Sequence, residues 1–168
     1  SLVFFFFAYD SEENKKRQAL FLLLAGASCG LAFLTKGFLA FALAGAVIAP
    51  FLLWEKRWKK LFTMSWLPAV GVVVIAAPWS LVVHFKDPDF WKYFFLVEHV
   101  QRLFGASEYQ HSEPCVYYIP FLLGGALPWI FLAPAAFSKF RLDILKDRTV
   151  RYCLCWIVLP FLFFSISS

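Results

Sequence analysis

Apolar residues fill this chain in long runs, and short polar breaks divide them. Three runs, Ala19–Leu34, Gly37–Leu53 and Leu61–Val83, approach the roughly 20 residues that a helix needs to cross a hydrocarbon core. Shorter apolar stretches open the chain (SLVFFFFAY) and close it (FLFFSISS). Five polar breaks separate them: DSEENKKRQ at 10–18, the tight TKG at 35–37, WEKRWKK at 54–60, a long stretch from His84 to about Pro114, and SKFRLDILKDRTVR at 138–151. Helices satisfy their own backbone groups in lipid, so the pattern predicts an all-α, polytopic transmembrane helical bundle with about five to six membrane segments.

Two breaks carry finer detail. GLAFLTKGFLA (30–40) predicts a turn between two runs of about 16 residues, each roughly 24 Å long and a little short of a full span. Gly37 can take the positive φ that a helix end or tight turn needs. Lys36 would then sit at the interface, where an ammonium group either anchors the helix or meets a lipid phosphate. Just before it, GASCG (26–30) has the small-residue spacing that lets helix backbones approach closely.

The fourth break, HFKDPDFWKYFFLVEHVQRLFG, opens with a helix start. Asp87 can cap and Pro88 suits the first helical position. A helix is expected from about Pro88 to Phe104, too charged to span but aromatic enough to lie in the membrane interface. Further on, Pro120, Pro128 and the Gly124–Gly125 pair predict a kinked helix where the chain re-enters the membrane.

Composition supports the membrane reading. Hydrophobic residues make up 61% of the 168 and charged residues 16%, against roughly a quarter charged in soluble domains. The sequence lacks an initiator Met and begins and ends within apolar runs, so it is expected to be an internal piece of a longer protein. Cys29, Cys115, Cys153 and Cys155 show no metal-ligand spacing and read as small packing residues, with Cys153 and Cys155 on different helix faces.

Charge then orients the bundle. Twelve of the 16 Lys and Arg residues fall in the first, third and fifth breaks, leaving Lys36, Lys86, Lys92 and Arg102 for the second and fourth. The positive-inside rule puts the basic breaks in the cytoplasm and the others on the outer face. The net charge of +5 is thus a topology signal, and nucleic acid is not an expected partner.

All three His residues (His84, His99 and His111) and five of the 11 acids lie in the long outer break. Glu98 and Arg102 stand i, i+4, and His99 and Arg102 i, i+3, so they share one side of the predicted helix. This combination is either a solvated polar face or a site for an anionic lipid headgroup, with Arg102 as a bidentate phosphate ligand. Lys92 and His111 add to the cluster, and His99 could carry a proton or hold a metal. Tyr117 and Tyr118 follow at the re-entry depth, where Tyr often anchors. No P-loop, dinucleotide-binding glycine motif, H-E-x-x-H or G-x-S-x-G is present.

GLAFLTKGFLA, APW (77–79), FWKYFFLVEHVQRLF, QHSEPCVYYIPFLLGGALPW and LPFLFFSIS, in this order, resemble lipid-carrier-dependent glycosyltransferases of the membrane-embedded GT-C class. The nearest resemblance is to the 4-amino-4-deoxy-L-arabinose transferase branch (ArnT), related to protein O-mannosyltransferases. Its most specific parts are Glu98, His99, Gln101 and Arg102, and then His111, Pro114, Tyr117 and Tyr118.

The resemblance implies that 1–168 is an internal part of one transmembrane domain of GT-C type, with 84–114 an extracytoplasmic loop. It implies a bacterial inner-membrane enzyme, its site facing the periplasm, that moves a sugar from undecaprenyl phosphate to lipid A phosphate or to a protein, and polymyxin resistance as the consequence of lipid A modification. His99 and Glu98 would be catalytic; Arg102, Lys36, Lys92, His111, Tyr117 and Tyr118 would bind substrate. A divalent metal on His99 stays open, and no other cofactor is implied. The family's key acids and its soluble C-terminal part are expected outside this sequence, so the 168 residues alone should be inactive. A flippase for lipid-linked substrates is the rival from another class; it would carry ionisable groups at mid-membrane.

Overall fold

The computed structural model describes residues 1–87, 89–94, 118–127, 129–132, 134 and 142–166. Every regular element among them is helical. The chain divides into two compact units, Ser1–Ser107 and Glu108–Ser168.

In the first unit, α1 (Leu2–Asp10), α2 (Lys15–Lys36), α3 (Leu39–Trp54), the short α4 (Lys59–Thr63) and α5 (Trp66–Lys86) precede a single turn, α6 (Phe90–Lys92). α2 is the central helix, packed against α1, α3 and α5. Its buried residues, Leu22, Ala25, Gly26, Cys29 and Gly30, follow the three- and four-residue spacing of one helix face. The expected small-residue contact is present. A Cβ added to Gly26 would lie 2.1 Å from the Pro68 carbonyl oxygen, and one added to Gly71 would lie 2.7 Å from that of Leu23. Backbone therefore meets backbone where α2 crosses α5, which only glycine permits. Pro68 itself is tolerated in the first turn of α5, where the missing N–H has no helical partner to lose.

α2 is longer than the sequence pattern suggested. Asn14 caps it, its Oδ1 accepting from the Arg17 amide at 3.1 Å, so the helix starts within the polar break and spans 22 residues, about 33 Å. α3, at 16 residues, keeps the predicted short length of about 24 Å. α2, α4–α5 (Lys59–Lys86) and Arg148–Ser165 are each long and apolar enough to cross a membrane. Much of their apolar surface is uncovered: on α5, Val73, Val74 and Phe85 are 60%, 64% and 80% exposed. Such faces need lipid or further protein beside them.

α3 ends in a Schellman motif. The Lys56 amide donates to the Leu53 carbonyl and the Arg57 amide to that of Leu52, both at 2.9 Å. Lys56 takes φ 56°, a left-handed conformation that costs a non-glycine residue about 1–2 kcal/mol. The motif turns Arg57 toward the first break, where it meets Glu12 at 3.0 Å. Lys60 joins the same carboxylate and lies 4.6 Å from the Tyr9 ring centroid. Tyr9 is fully buried against Phe51, their centroids 5.3 Å apart. The first and third polar breaks thus share one end of the unit, as alternation across a membrane requires.

In the second unit, α7 (Tyr118–Gly125) is followed by a 3-10 turn at Trp129–Leu132, another at Leu142–Lys146, and α8 (Arg148–Ile166). The kinked helix expected around Pro120, Gly124–Gly125 and Pro128 is interrupted among the described residues. It stops at Gly124–Gly125, where Leu127 donates back to the Gly124 carbonyl at 3.2 Å, because two adjacent glycines are poor helix formers. Asp147 caps α8, its Oδ1 accepting from Thr149 at 2.7 Å and Val150 at 3.3 Å. These amides hold its carboxyl below the usual range. Cys155 is buried and Cys153 exposed, as their spacing predicted.

Candidate functional site

The end of the first unit opposite Glu12 is built from the TKG turn. Lys36 is the last residue of α2, and Gly37 caps it with φ 63° and ψ −146°, a region essentially closed to other residues. The Gly37 amide donates to the Phe33 carbonyl at 2.8 Å, and Thr35 Oγ1 donates to the Ala32 carbonyl at 2.9 Å. The turn is therefore held by its own backbone, which leaves Lys36 exposed at its tip.

Aromatic rings join this turn to the start of the fourth break. Phe33 stacks on Phe41 at 5.2 Å, and Phe94 contacts both Phe33 at 6.2 Å and Phe38 at 5.8 Å. Phe90 stacks on Phe94 at 5.6 Å and meets Trp79 of α5 edge-on at 5.8 Å. These edge-to-face and stacked pairs each add about 0.5–1.5 kcal/mol beyond area burial. They bring the α2–α3 turn, the middle of α5 and residues 90–94 together. Two predicted site residues, Lys36 and Lys92, consequently belong to one end of the unit, both exposed.

The electrostatics of this end are consistent. Lys36 lies in the last turn of α2, and His84 and Lys86 in the last turn of α5. Cations are favourable at the negative end of a helix dipole, so Lys36 and Lys86 stabilise their helices and present positive charge at this end. The expected helix start at Pro88 is later in the structure: α6 begins at Phe90. Asp87 Oδ1 accepts from the Asp89 amide at 3.2 Å, a local turn that displaces the helix start by two residues.

Glu98, His99, Arg102, His111 and Tyr117 lie outside the described residues, as does most of the helix expected to Phe104. Tyr118 opens α7. Among the described residues no three His, Cys, Asp or Glu side chains group as metal ligands; the His99 ligand assignment falls outside them. Phe90 and Phe94 are legible in the sequence as part of the apolar stripe of the expected interfacial helix; their contacts with Phe33, Phe38 and Trp79 are not. Chemically, this end offers three exposed ammonium groups, Lys36, Lys86 and Lys92, beside an aromatic cluster. That suits the phosphate of an amphiphile.

Residues 1–94 match the family model described as dolichyl-phosphate-mannose-protein mannosyltransferase. The chain is 43% identical over 164 residues to the undecaprenyl phosphate-alpha-4-amino-4-deoxy-L-arabinose arabinosyl transferase of Shewanella sediminis, covering 98% of this chain and 30% of that protein. A protein of the same name from Erwinia tasmaniensis is 42% identical, with 98% and 29% covered. A further relative, from Pseudomonas fluorescens, is 38% identical, with 100% and 30% covered. The crystal structure of ArnT from Cupriavidus metallidurans bound to undecaprenyl phosphate superposes with a TM-score of 0.79 at 29% identity, over 98% of this chain and 30% of that one. The chain spans about 30% of the length of these relatives. With a family match over more than half its residues and the helical fold of part of ArnT along nearly all of them, the chain belongs to the dolichyl-phosphate-mannose-protein mannosyltransferase family.

Proposed function

We propose that the full-length protein transfers 4-amino-4-deoxy-L-arabinose from undecaprenyl phosphate to a lipid A phosphate at the periplasmic face of the bacterial inner membrane. The observation that carries this reading is whole-chain likeness: three relatives bearing the arabinosyl transferase name are 38–43% identical over 164 to 168 residues of this chain. The shared end of the first and third breaks supports the sidedness, since seven Lys and Arg residues of those breaks then face the cytoplasm.

In this mechanism the bond between sugar C1 and the carrier phosphate breaks, and its electron pair leaves with undecaprenyl phosphate. An oxygen of the acceptor phosphate forms the new bond to C1. Arg102 binds the departing phosphate through two parallel N–H donors. Lys36 and Lys92 neutralise the same charge from the aromatic end of the unit. His99 lines the catalytic cavity and takes the acceptor's proton, and Glu98 holds it in orientation. His111, Tyr117 and Tyr118 border the substrate where the chain re-enters the membrane.

A second reading, transfer of mannose or another hexose to protein, is favoured by the description of the family matched over 1–94. Purified full-length protein supplied with undecaprenyl phosphate-aminoarabinose, undecaprenyl phosphate-mannose and both acceptors separates them. Sugar on lipid A supports the proposal, and sugar on protein supports the second reading. Donor crossing the bilayer without transfer would instead indicate a flippase.

A further inference from the structure

The APW stretch (77–79) places Trp79 in α5, seven residues before Lys86 at its end, or roughly 10 Å along the helix. Its ring meets that of Phe90 edge-on at 5.8 Å, although Phe90 lies beyond the end of α5. The chain therefore turns back at Asp87–Asp89, where the Phe90 amide donates to the Asp87 carbonyl at 3.2 Å, and α6 lies beside α5. Rings hold α6 from two sides. Trp79 takes Phe90 from the side of α5. Phe94, stacked on Phe90 at 5.6 Å, reaches Phe33 and Phe38 at the TKG turn. Lys92 stands between Phe90 and Phe94 in the chain, and Lys36 stands two residues before Phe38.

Trp79 is 42% exposed, and a tryptophan near the end of a span commonly serves as an interfacial anchor. An anchor uses the indole N–H, which seeks water and headgroups, whereas a clamp uses only the edge and face of a ring. The two roles make opposite predictions for phenylalanine at this position. α6 has no side-chain cap of its own, which leaves its placement to contacts such as the Trp79–Phe90 pair.

We infer that Trp79 is a positioning residue for the carrier phosphate: by holding Phe90 it holds α6, and α6 sets the place of Lys92 relative to Lys36. The ligand follows from the transfer reading, on which this role rests; the clamp follows from ring geometry alone.

The test measures hydrogen exchange and affinity for undecaprenyl phosphate on the full-length protein in nanodiscs. Trp79→Ala should quicken exchange in the segment 89–94 and leave residues 22–30 of α2 as protected as in wild type. Affinity should fall about fivefold, the worth of one lysine near a phosphate, and Lys92→Ala should lower it equally. The double variant should fall no further, because both changes act on one contact. Trp79→Phe should keep exchange and affinity near wild type. Trp66→Ala removes an exposed tryptophan from the other end of α5 and should change neither. Phe90→Leu breaks the same ring pair from the side of α6 and should repeat the effects of Trp79→Ala; wild-type affinity in it would overturn the clamp. Losses that multiply in the double variant, to about 25-fold, would separate Trp79 from Lys92 and overturn the role. Equal loss in Trp79→Phe and Trp79→Ala would overturn it in favour of the indole N–H, and so would unchanged exchange in 89–94. Wild type with no affinity for undecaprenyl phosphate would overturn the transfer reading itself, while exchange in 89–94 still judges the clamp.

Discussion

Replacing Gly26 by Ala tests the contact on which the first unit is built. The new Cβ would stand 2.1 Å from the Pro68 carbonyl oxygen, 2.6 Å from its Cα and 2.7 Å from its carbonyl carbon, where ordinary contact begins at 3.4 Å. All three atoms are backbone, so no side chain can rotate away. α2 and α5 must separate locally by more than 1 Å, and a gap of 0.5–1 Å already forfeits roughly a quarter to a half of each van der Waals contact. Overpacking of this kind costs about 3 kcal/mol; the better helix propensity of Ala returns about 1 kcal/mol. The expected net loss is therefore about 2 kcal/mol. Gly45→Ala is the control, since nothing lies within 4 Å of an added Cβ there. Thermal or SDS unfolding of the full-length protein in detergent should show Gly26→Ala destabilised and Gly45→Ala unchanged or slightly stabilised. Gly26 lies about 15 Å below Lys36 along α2. A shift of 1 Å at the site can cost about 100-fold in rate, so transfer should fall as well. Indistinguishable stability of the two variants would refute backbone contact between α2 and α5.

Gly37→Ala should destabilise by about 1–3 kcal/mol, because φ 63° with ψ −146° excludes a Cβ; the same unfolding assay measures it. Asp147→Ala should speed hydrogen exchange at the Thr149 and Val150 amides at neutral pH. The folded state holds the Asp147 carboxyl below its ordinary value, so the cap stabilises fully above the unfolded pKa and is lost as pH falls through the folded one. The difference between wild type and variant should therefore vanish in acid. Arg102→Lys should lower transfer at least tenfold while insertion stays normal, because an ammonium cannot make the two parallel hydrogen bonds of a guanidinium; a full rate in this variant would remove the bidentate contact.

The apolar runs were enough to locate α2, α3 and α5, because each run must be helical in lipid and each break must leave it. Their ends were harder to place. Asn14 extends α2 backward through Lys15 and Lys16, whose long stems keep their charges in water while the backbone is already helical. The alternation of basic and non-basic breaks foretold that Glu12 and Arg57 share an end, but not the pair itself, which depends on a Schellman turn at a lysine. The Gly124–Gly125 pair was legible as a disturbance; whether it kinks or ends a helix is decided by packing that a single sequence does not display. Lys36 and Lys92 lie 56 positions apart, and the contacts of Phe94 with Phe33 and Phe38 join their segments. Glu98, His99 and Arg102 rest on their spacing and the family resemblance.

On the proposed function, the full-length protein places aminoarabinose on lipid A through the outer segment. Mass spectrometry of lipid A from cells expressing the full-length protein, wild type beside His99→Ala at equal membrane levels, tests it most directly. An aminoarabinose increment is expected with wild type and none with His99→Ala. An increment of equal size in both would contradict the role of His99, and no increment in either would contradict lipid A as the acceptor of this sugar.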